Sequence, residues 1–266
     1  EPPSMGEHDM ITAEPYQPSR SFYAKIKRRL TQYRQAAPVR IELDEPVLSI
    51  TFDDCPASAV DLGMKILDRH GVKGGFYIAT GLMGHETHMG PIAGEAKVRL
   101  LRDAGHEVGA HSHAHIDYAI TDPSDIEMDI QTNLDSLEQV CSGDEIESFA
   151  FPYGETSFEV KKQLSGRFSN LRGVLPGINR GRVDRAQLFA YELDGNAASL
   201  DRAIAALDDL KANPGWMLVF THDVSDTPSA FGISPEQLDR LIVEAKSRGI
   251  RISPPALAAR QAGVTR

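Results

Sequence analysis

Only two cysteines, Cys55 and Cys141, occur in 266 residues, too few for a disulfide framework; both are expected to be reduced thiols. No apolar run reaches 18 residues, so no transmembrane helix is expected. No basic start followed by an apolar stretch is present, so no signal peptide is read, although the first residue is Glu1 rather than Met, which leaves a processed precursor open. The expected location is cytoplasmic. Positive charge is scarce overall. A net charge of −10 argues against a general nucleic-acid binder. Acids, in turn, are absent from residues 15–41, where Arg20, Lys25, Lys27, Arg28, Arg29, Arg34 and Arg40 stand; removing those seven positive charges from the net of −10 leaves −17 on the rest.

The chain divides into three stretches. Residues 1–19, rich in Pro, Glu and Ser, read as a flexible tail. Residues 20–40 hold a basic amphipathic helix: Phe22, Ile26, Leu30 and Tyr33 recur at helical spacing with basic residues around them. Two roles fit that stripe. It packs the helix onto the domain, or it lies on anionic lipid as a peripheral contact to the inner membrane through residues 20–35. Residues 41–266 alternate strand and helix patterns. VLSITFDD (47–54), GGFYIAT (74–80), EVGAHS (107–112), SFAFPYG (148–154), LRGVLPG (171–177), FAYELDG (189–195) and WMLVFTHD (216–223) read as strands, with a short IRI strand at the end. Helices are expected over 58–70, 94–104, 123–141, 156–164, 199–212 and 234–248. Such alternation implies an α/β fold with a mostly parallel sheet. Seven or eight strands in about 220 residues fit a distorted, TIM-like (β/α) barrel with helices outside better than two domains. No internal repeat or interdomain linker is visible.

Polar groups cluster where strands stop, which is where barrel enzymes place their chemistry. Asp53 and Asp54 end an apolar strand; each is also a candidate cap for the next helix. AHSHAH puts His111 and His115 four apart, on one face of a helical turn, with His113 off that face. With Asp54 they offer two nitrogens and one oxygen to a borderline cation, leaving a position for water. In Phe151-Pro152-Tyr153-Gly154, proline and glycine can shape the backbone so that an N–H enters the site. His222, at the end of the last long strand, is a candidate general acid.

TFDD, HSxxH, PYG and a strand-terminal THD, in that order over residues 47–252, resemble the polysaccharide deacetylase family (the NodB-homology domain, carbohydrate esterase family 4). The resemblance implies a distorted (β/α) barrel and metal-dependent removal of N-acetyl groups from N-acetylhexosamine polymers. It makes Asp53 the catalytic base and Asp54, His111 and His115 the ligands of a divalent metal, Zn2+ or Co2+. The Tyr153 N–H becomes an oxyanion donor and His222 the general acid, with Asp194 orienting or charge-tuning it. The implied partner is a polysaccharide or lipid-linked oligosaccharide; oligomerisation is left open.

Two departures stand out. Where the family has an arginine that pairs with the base, this chain has Ala150; the base then either lacks its usual cationic partner or takes one from elsewhere, such as Arg180 or Arg182. The fourth motif, Asp with a following Trp, is reduced to Asp194; Trp216 reads as core. The FAFPYG variant and the PGINRGR segment resemble deacetylases of alphaproteobacterial exopolysaccharide and holdfast-type adhesin gene sets. A same-fold amidase on another N-acyl group and a weakly active carbohydrate-binding scaffold are the alternatives. His106 and Cys55 read as packed structural residues, and His85 and His88 as loop residues.

Overall fold

The computed structural model describes Pro18, Ser19 and residues 21–266; residues 1–17 of the tail expected over 1–19, and Arg20, lie outside the described residues. In chain order come α1 (Phe22–Tyr33), β1 (Pro38–Ile41) and β2 (Val47–Phe52), then a π-helical turn over Ala59–Met64 that runs into α2 (Lys65–Arg69). β3 (Gly75–Ile78), the hairpin β4 (Glu86–Thr87) and β5 (Gly90–Pro91), α3 (Glu95–Asp103), β6 (Glu107–Ala110) and α4 (Pro123–Cys141) follow. The second half holds β7 (Ser148–Ala150), α5 (Phe158–Leu164), β8 (Asn170–Arg172), β9 (Ile178–Asn179), β10 (Gly181–Asp184), β11 (Tyr191–Glu192) and α6 (Ala197–Ala212). β12 (Trp216–Thr221), α7 (Pro235–Ser247), β13 (Arg251–Ile252) and α8 (Pro255–Gln261) close the chain.

Seven strands form one curled parallel path, β11-β12-β2-β3-β6-β7-β8, with β13 added on β2 and β9 antiparallel on β12. The expected distorted barrel is therefore present. β2 and β12 are buried at all six positions each, as strands covered on both faces must be, and their near-continuous apolar sequences follow from that. Their register runs from Trp216 opposite Val47 to Thr221 opposite Phe52. The two strands thus end in step, and Asp53 and His222 leave the sheet side by side. Trp216 is fully buried and its indole N–H donates to Ser49 Oγ at 2.9 Å.

α4 spans the expected residues and buries Ile126, Ile130 and Leu137. Three elements escape a periodicity reading. β1 pairs antiparallel with β10, but its four residues alternate in burial inside a basic segment. The β4–β5 hairpin is only two residues a side. α8 starts on a Pro-Pro pair that reads as a loop, although proline suits the first helical turn.

α1 corrects one expectation outright. Its apolar stripe does not pack on the domain: Phe22 is 80%, Ile26 41%, Leu30 66% and Tyr33 81% exposed. The opposite face is the attached one. Among the described residues no helix is long and apolar enough to cross a membrane.

Candidate active site

The strand end after β2 is conformationally unusual. Asp54 (φ 57°) and Cys55 (φ 56°) are consecutive non-glycine residues in the left-handed region, a local strain that clusters at functional sites. The reversal lets both carboxylates remain buried at one strand end, Asp53 at 4% and Asp54 at 5% exposure. The Asp53 N–H donates to Thr221 O at 2.8 Å, tying the turn to the end of β12. Cys55 is fully buried, and burial pushes its thiol well above the usual range; it is the small packed side chain expected.

His111 and His115 meet Asp54, but not through a helical turn. Residues 111–117 are loop, and the spacing is met by positive φ at Ser112 (72°) and His115 (52°). Asp54 Oδ1 lies 3.1 Å from His115 Nε2 and 3.4 Å from His111 Nε2. His111 Nδ1 is 2.8 Å from the Ala150 carbonyl. That contact makes Nδ1 the protonated nitrogen and leaves Nε2 with its lone pair toward Asp54. Burial lowers the His111 pKa to about 4, so the ring is neutral at pH 7. For His115, burial works downward but Asp54 prevails and raises the pKa. Asp54 is held well below the usual carboxylate range because His115 and His111 outweigh the upward push of burial.

α4 holds this loop by residues that periodicity does not single out. Asp129 accepts from the N–H groups of His113 (3.0 Å) and Ala114 (2.8 Å) and from the Tyr118 hydroxyl (2.7 Å). Asn133 donates to Ile78 O, Thr80 Oγ1 and Ser112 O. His113 turns away from the cluster, with Nδ1 2.9 Å from Thr80 Oγ1.

Asp53 does have a cationic partner, and it is neither Arg180 nor Arg182. Arg172, at the end of β8, is fully buried, and its Nη2 donates to Asp53 Oδ2. It sits opposite Ala150 in the β7–β8 register, so the guanidinium stands one strand over from its place in the family pattern. Its Nη1 donates to Gly173 O at 3.0 Å, and its carbon lies 4.4 Å from the Phe220 ring centre, an environment suited to a weakly hydrated guanidinium. Arg180 pairs instead with Asp209, and Arg182 donates to Gln35 Oε1. Asp53 Oδ1 is buried without a hydrogen-bond partner, so one oxygen is held by Arg172 and the other is free to take a proton.

Tyr153 (φ 58°) places its ring 4.5 Å from that of His115. Gly154 has φ 68°, and a Cβ there would lie 2.3 Å from Val174 Cγ2; only glycine fits. His222 Nδ1 lies 3.2 Å from Phe231 O, and its ring is 5.7 Å from that of Phe231. The carbonyl partner fixes the tautomer and leaves Nε2 for proton transfer. Asp194 is not brought to His222 Nδ1: its Oδ1 accepts from Asn196 N–H at 3.2 Å. Glu192, at the end of β11, has its pKa raised by burial and by Asp194 and pulled down by His222. Asp223 is a brace, accepting from the N–H and hydroxyl of Ser229. His106 is structural as expected, accepting from Gly74 N–H at 3.1 Å. A groove of about 560 Å³ among the loops that follow β2 and β12 is lined by Ser58, His88, Asp223 and Ser229 among others. His88 also packs on Phe231, ring centres 5.5 Å apart.

The ligand atoms of Asp54, His111 and His115 lie within 4.8 Å of one another. Asp54 Oδ1 is buried and takes no aligned hydrogen bond despite two imidazoles beside it. One orphaned carboxylate oxygen and two neutral-capable nitrogens fit a divalent cation.

Residues 40–166 match the family model described as polysaccharide deacetylase. No curated protein matches the chain. Among solved structures, a family 4 acetyl xylan esterase from Clostridium thermocellum, in complex with a cobalt ion, is similar with TM-score 0.59 and 23% identity, over 82% of this chain and 92% of its own. A family 4 carbohydrate esterase from Bacillus anthracis has TM-score 0.58 and 13% identity over 92% of this chain and 95% of its own. A pseudoenzyme of the CE4 family from the same organism has TM-score 0.56 and 16% identity over 85% of this chain and 69% of its own.

Proposed function

Through residues 40–166 the chain belongs to the polysaccharide deacetylase family, and from that premise we propose that it is a metal-dependent N-deacetylase. Its proposed substrate is an N-acetylglucosamine-type residue of an exopolysaccharide or of a lipid-linked precursor. The observation that carries an active enzyme is the buried Arg172–Asp53 pair beside the Asp54–His111–His115 cluster. A chain that had lost catalysis has no use for an uncompensated-charge hazard in its core, which costs about 3–5 kcal/mol if one partner goes.

Asp54, His111 and His115 would hold the cation, which when bound supplies positive charge that acidifies a water and polarises an acyl carbonyl. Asp53 is the base: Arg172 holds Oδ2, and the unpartnered Oδ1 accepts the proton of the attacking water. The Tyr153 backbone N–H is assigned to the developing oxyanion, an arrangement whose removal typically costs about 10²–10³ in rate. His222, with Nδ1 held by Phe231 O, delivers a proton from Nε2 to the departing sugar amine. Asp194, away from His222 Nδ1, acts only through the charge it adds near Glu192. The groove beside Ser58 and Asp223 and the half-exposed Phe231 ring offer the hydroxyl partners and flat apolar face that a sugar chain needs.

The test is amine release from N-acetylglucosamine oligomers, with metal analysis of the same sample. Chelation should silence the reaction, and zinc or cobalt should restore it. Activity indifferent to chelation removes the metal assignment. No release from any N-acetyl sugar, with the metal in place, favours the same-fold amidase on another N-acyl group or the carbohydrate-binding scaffold.

A further inference from the structure

α1 is attached to the domain by its polar side. Arg28 pairs with Glu155, two residues beyond Tyr153, and the Arg34 guanidinium lies 3.6 Å over the Phe158 ring. The fully buried Lys161 donates to the carbonyls of Thr31 (2.9 Å) and Arg34 (2.8 Å) at the helix's C-terminal end and pairs with Asp184 at 2.7 Å, satisfying carbonyls that would otherwise be orphaned. Asp184 also accepts from the N–H groups of Ala36 and Ala37. The helix is therefore clamped at its end and along one side. Its outward presentation of Phe22, Ile26, Leu30 and Tyr33, 80%, 41%, 66% and 81% exposed, is built into the fold. By helical geometry these four fall within an arc of about 80°. The exposed Arg29 falls beside them.

We propose that this face of α1 docks on an anionic lipid bilayer and seats the chain with its strand-end site near the lipid surface. A contiguous apolar stripe on a clamped helix marks an interaction surface, and charge selects its occupant. Seven basic residues and no acid in 15–41 face a remainder of −17. An anionic surface attracts the one and repels the other, which fixes orientation as well as contact. A second copy meets the opposite situation, because a two-fold contact through α1 sets the two basic segments against each other. Glu155 joins α1 to the loop that carries Tyr153, so the docked helix brings the site's mouth to the bilayer. The bilayer contact itself is independent of the deacetylase assignment.

The test uses the full chain and co-sedimentation with vesicles of phosphatidylcholine alone or mixed with phosphatidylglycerol. Binding to the anionic vesicles is expected to exceed binding to the neutral ones by about tenfold or more at low salt and to fall as salt rises. The triple variant Phe22→Ser/Leu30→Ser/Tyr33→Ser, confined to exposed positions, should lose about tenfold or more of that binding while keeping its circular dichroism and melting temperature. Equal binding to the two vesicle types, or a triple variant that binds like the parent, overturns the proposal. So does a dimer in sedimentation velocity that the triple variant abolishes while neither protein binds vesicles, since the face then belongs to a second copy.

Discussion

At the C-terminal ends of the strands, two buried carboxylates are surrounded by cations and imidazoles: Arg172 on Asp53, His115 and His111 around Asp54. At the opposite ends another carboxylate, the half-buried Glu107 at the start of β6, meets the Ser148 hydroxyl and the Ala256 N–H at 2.6 Å. The nearest arginine there, Arg260, is engaged by Glu147. The consequences are opposite. Asp54 is held far below the usual range, whereas burial pushes Glu107 up to about 7. Both ends also open a cavity, about 560 Å³ among the loops that follow β2 and β12 and about 380 Å³ near Glu107. A cavity alone therefore does not distinguish the proposed reactive end. What does is the supply of positive charge, which holds Asp54 ionised where low dielectric alone would neutralise it.

The strongest way to break that distinction is to remove the proposed base. Asp53→Asn should lower amine release by about 10²–10⁴-fold with metal content unchanged; near-normal turnover in this variant would falsify its role. Next is the cation beside it. Arg172→Ala strands Asp53 without a partner and should destabilise the fold by about 3–5 kcal/mol, read by urea unfolding, together with a deep loss of activity. Because Ala150 and Arg172 are register neighbours on β7 and β8, adding Ala150→Arg to that variant should recover part of both losses. If the double variant is no better than the single one, the position of the guanidinium matters, and not merely its presence near Asp53.

Asp53, Asp54, His111, His115 and His222 were legible because each sits at a strand end, and strand ends follow from apolar runs. The alternation of strand and helix likewise gave the barrel. Arg172 was not legible. LRGVLPG looks like an ordinary strand with a solvated arginine, and only the β7–β8 register shows that it faces the gap left at Ala150. The arginine's place in the apolar stretch FSNLRGVLP was the available signal. Asp129 and Asn133 were hidden in the same way: both read as polar positions of an amphipathic helix, and their function depends on where the histidine loop lands. The stripe on α1 was read in the right place, but periodicity cannot say which face of a helix the protein covers. Lys161 and Asp184 decide that, and they are distant in sequence.

The three histidines sharpen the comparison within the reactive end. His111→Ala and His115→Ala should each lose bound metal, measured by elemental analysis after gel filtration. His113→Ala should keep it and lose only the hydrogen bond to Thr80, about 1 kcal/mol of stability. Retention of metal by His115→Ala together with its loss from His113→Ala would reverse the assignment of the ligands.

The smallest effect belongs to the other end. A Glu107 pKa raised from 4.5 to about 7 in the folded chain means that the native state holds a proton the unfolded state has released. Its contribution to stability is fully present below the unfolded value and is lost as pH rises through about 7. His106 and His111, whose pKa values are lowered by burial, act with the opposite sign over part of the same window, so the parent curve alone is not diagnostic. The difference between Glu107→Gln and the parent is, because the histidines are common to both. That difference in melting temperature should shift in favour of Glu107→Gln as pH rises from 6 to 8, by about 2–4 °C for each kcal/mol of linkage. A difference that is flat with pH would mean that Glu107 stays ionised despite its burial, and that the two ends of the barrel treat their acids more alike than their neighbours suggest.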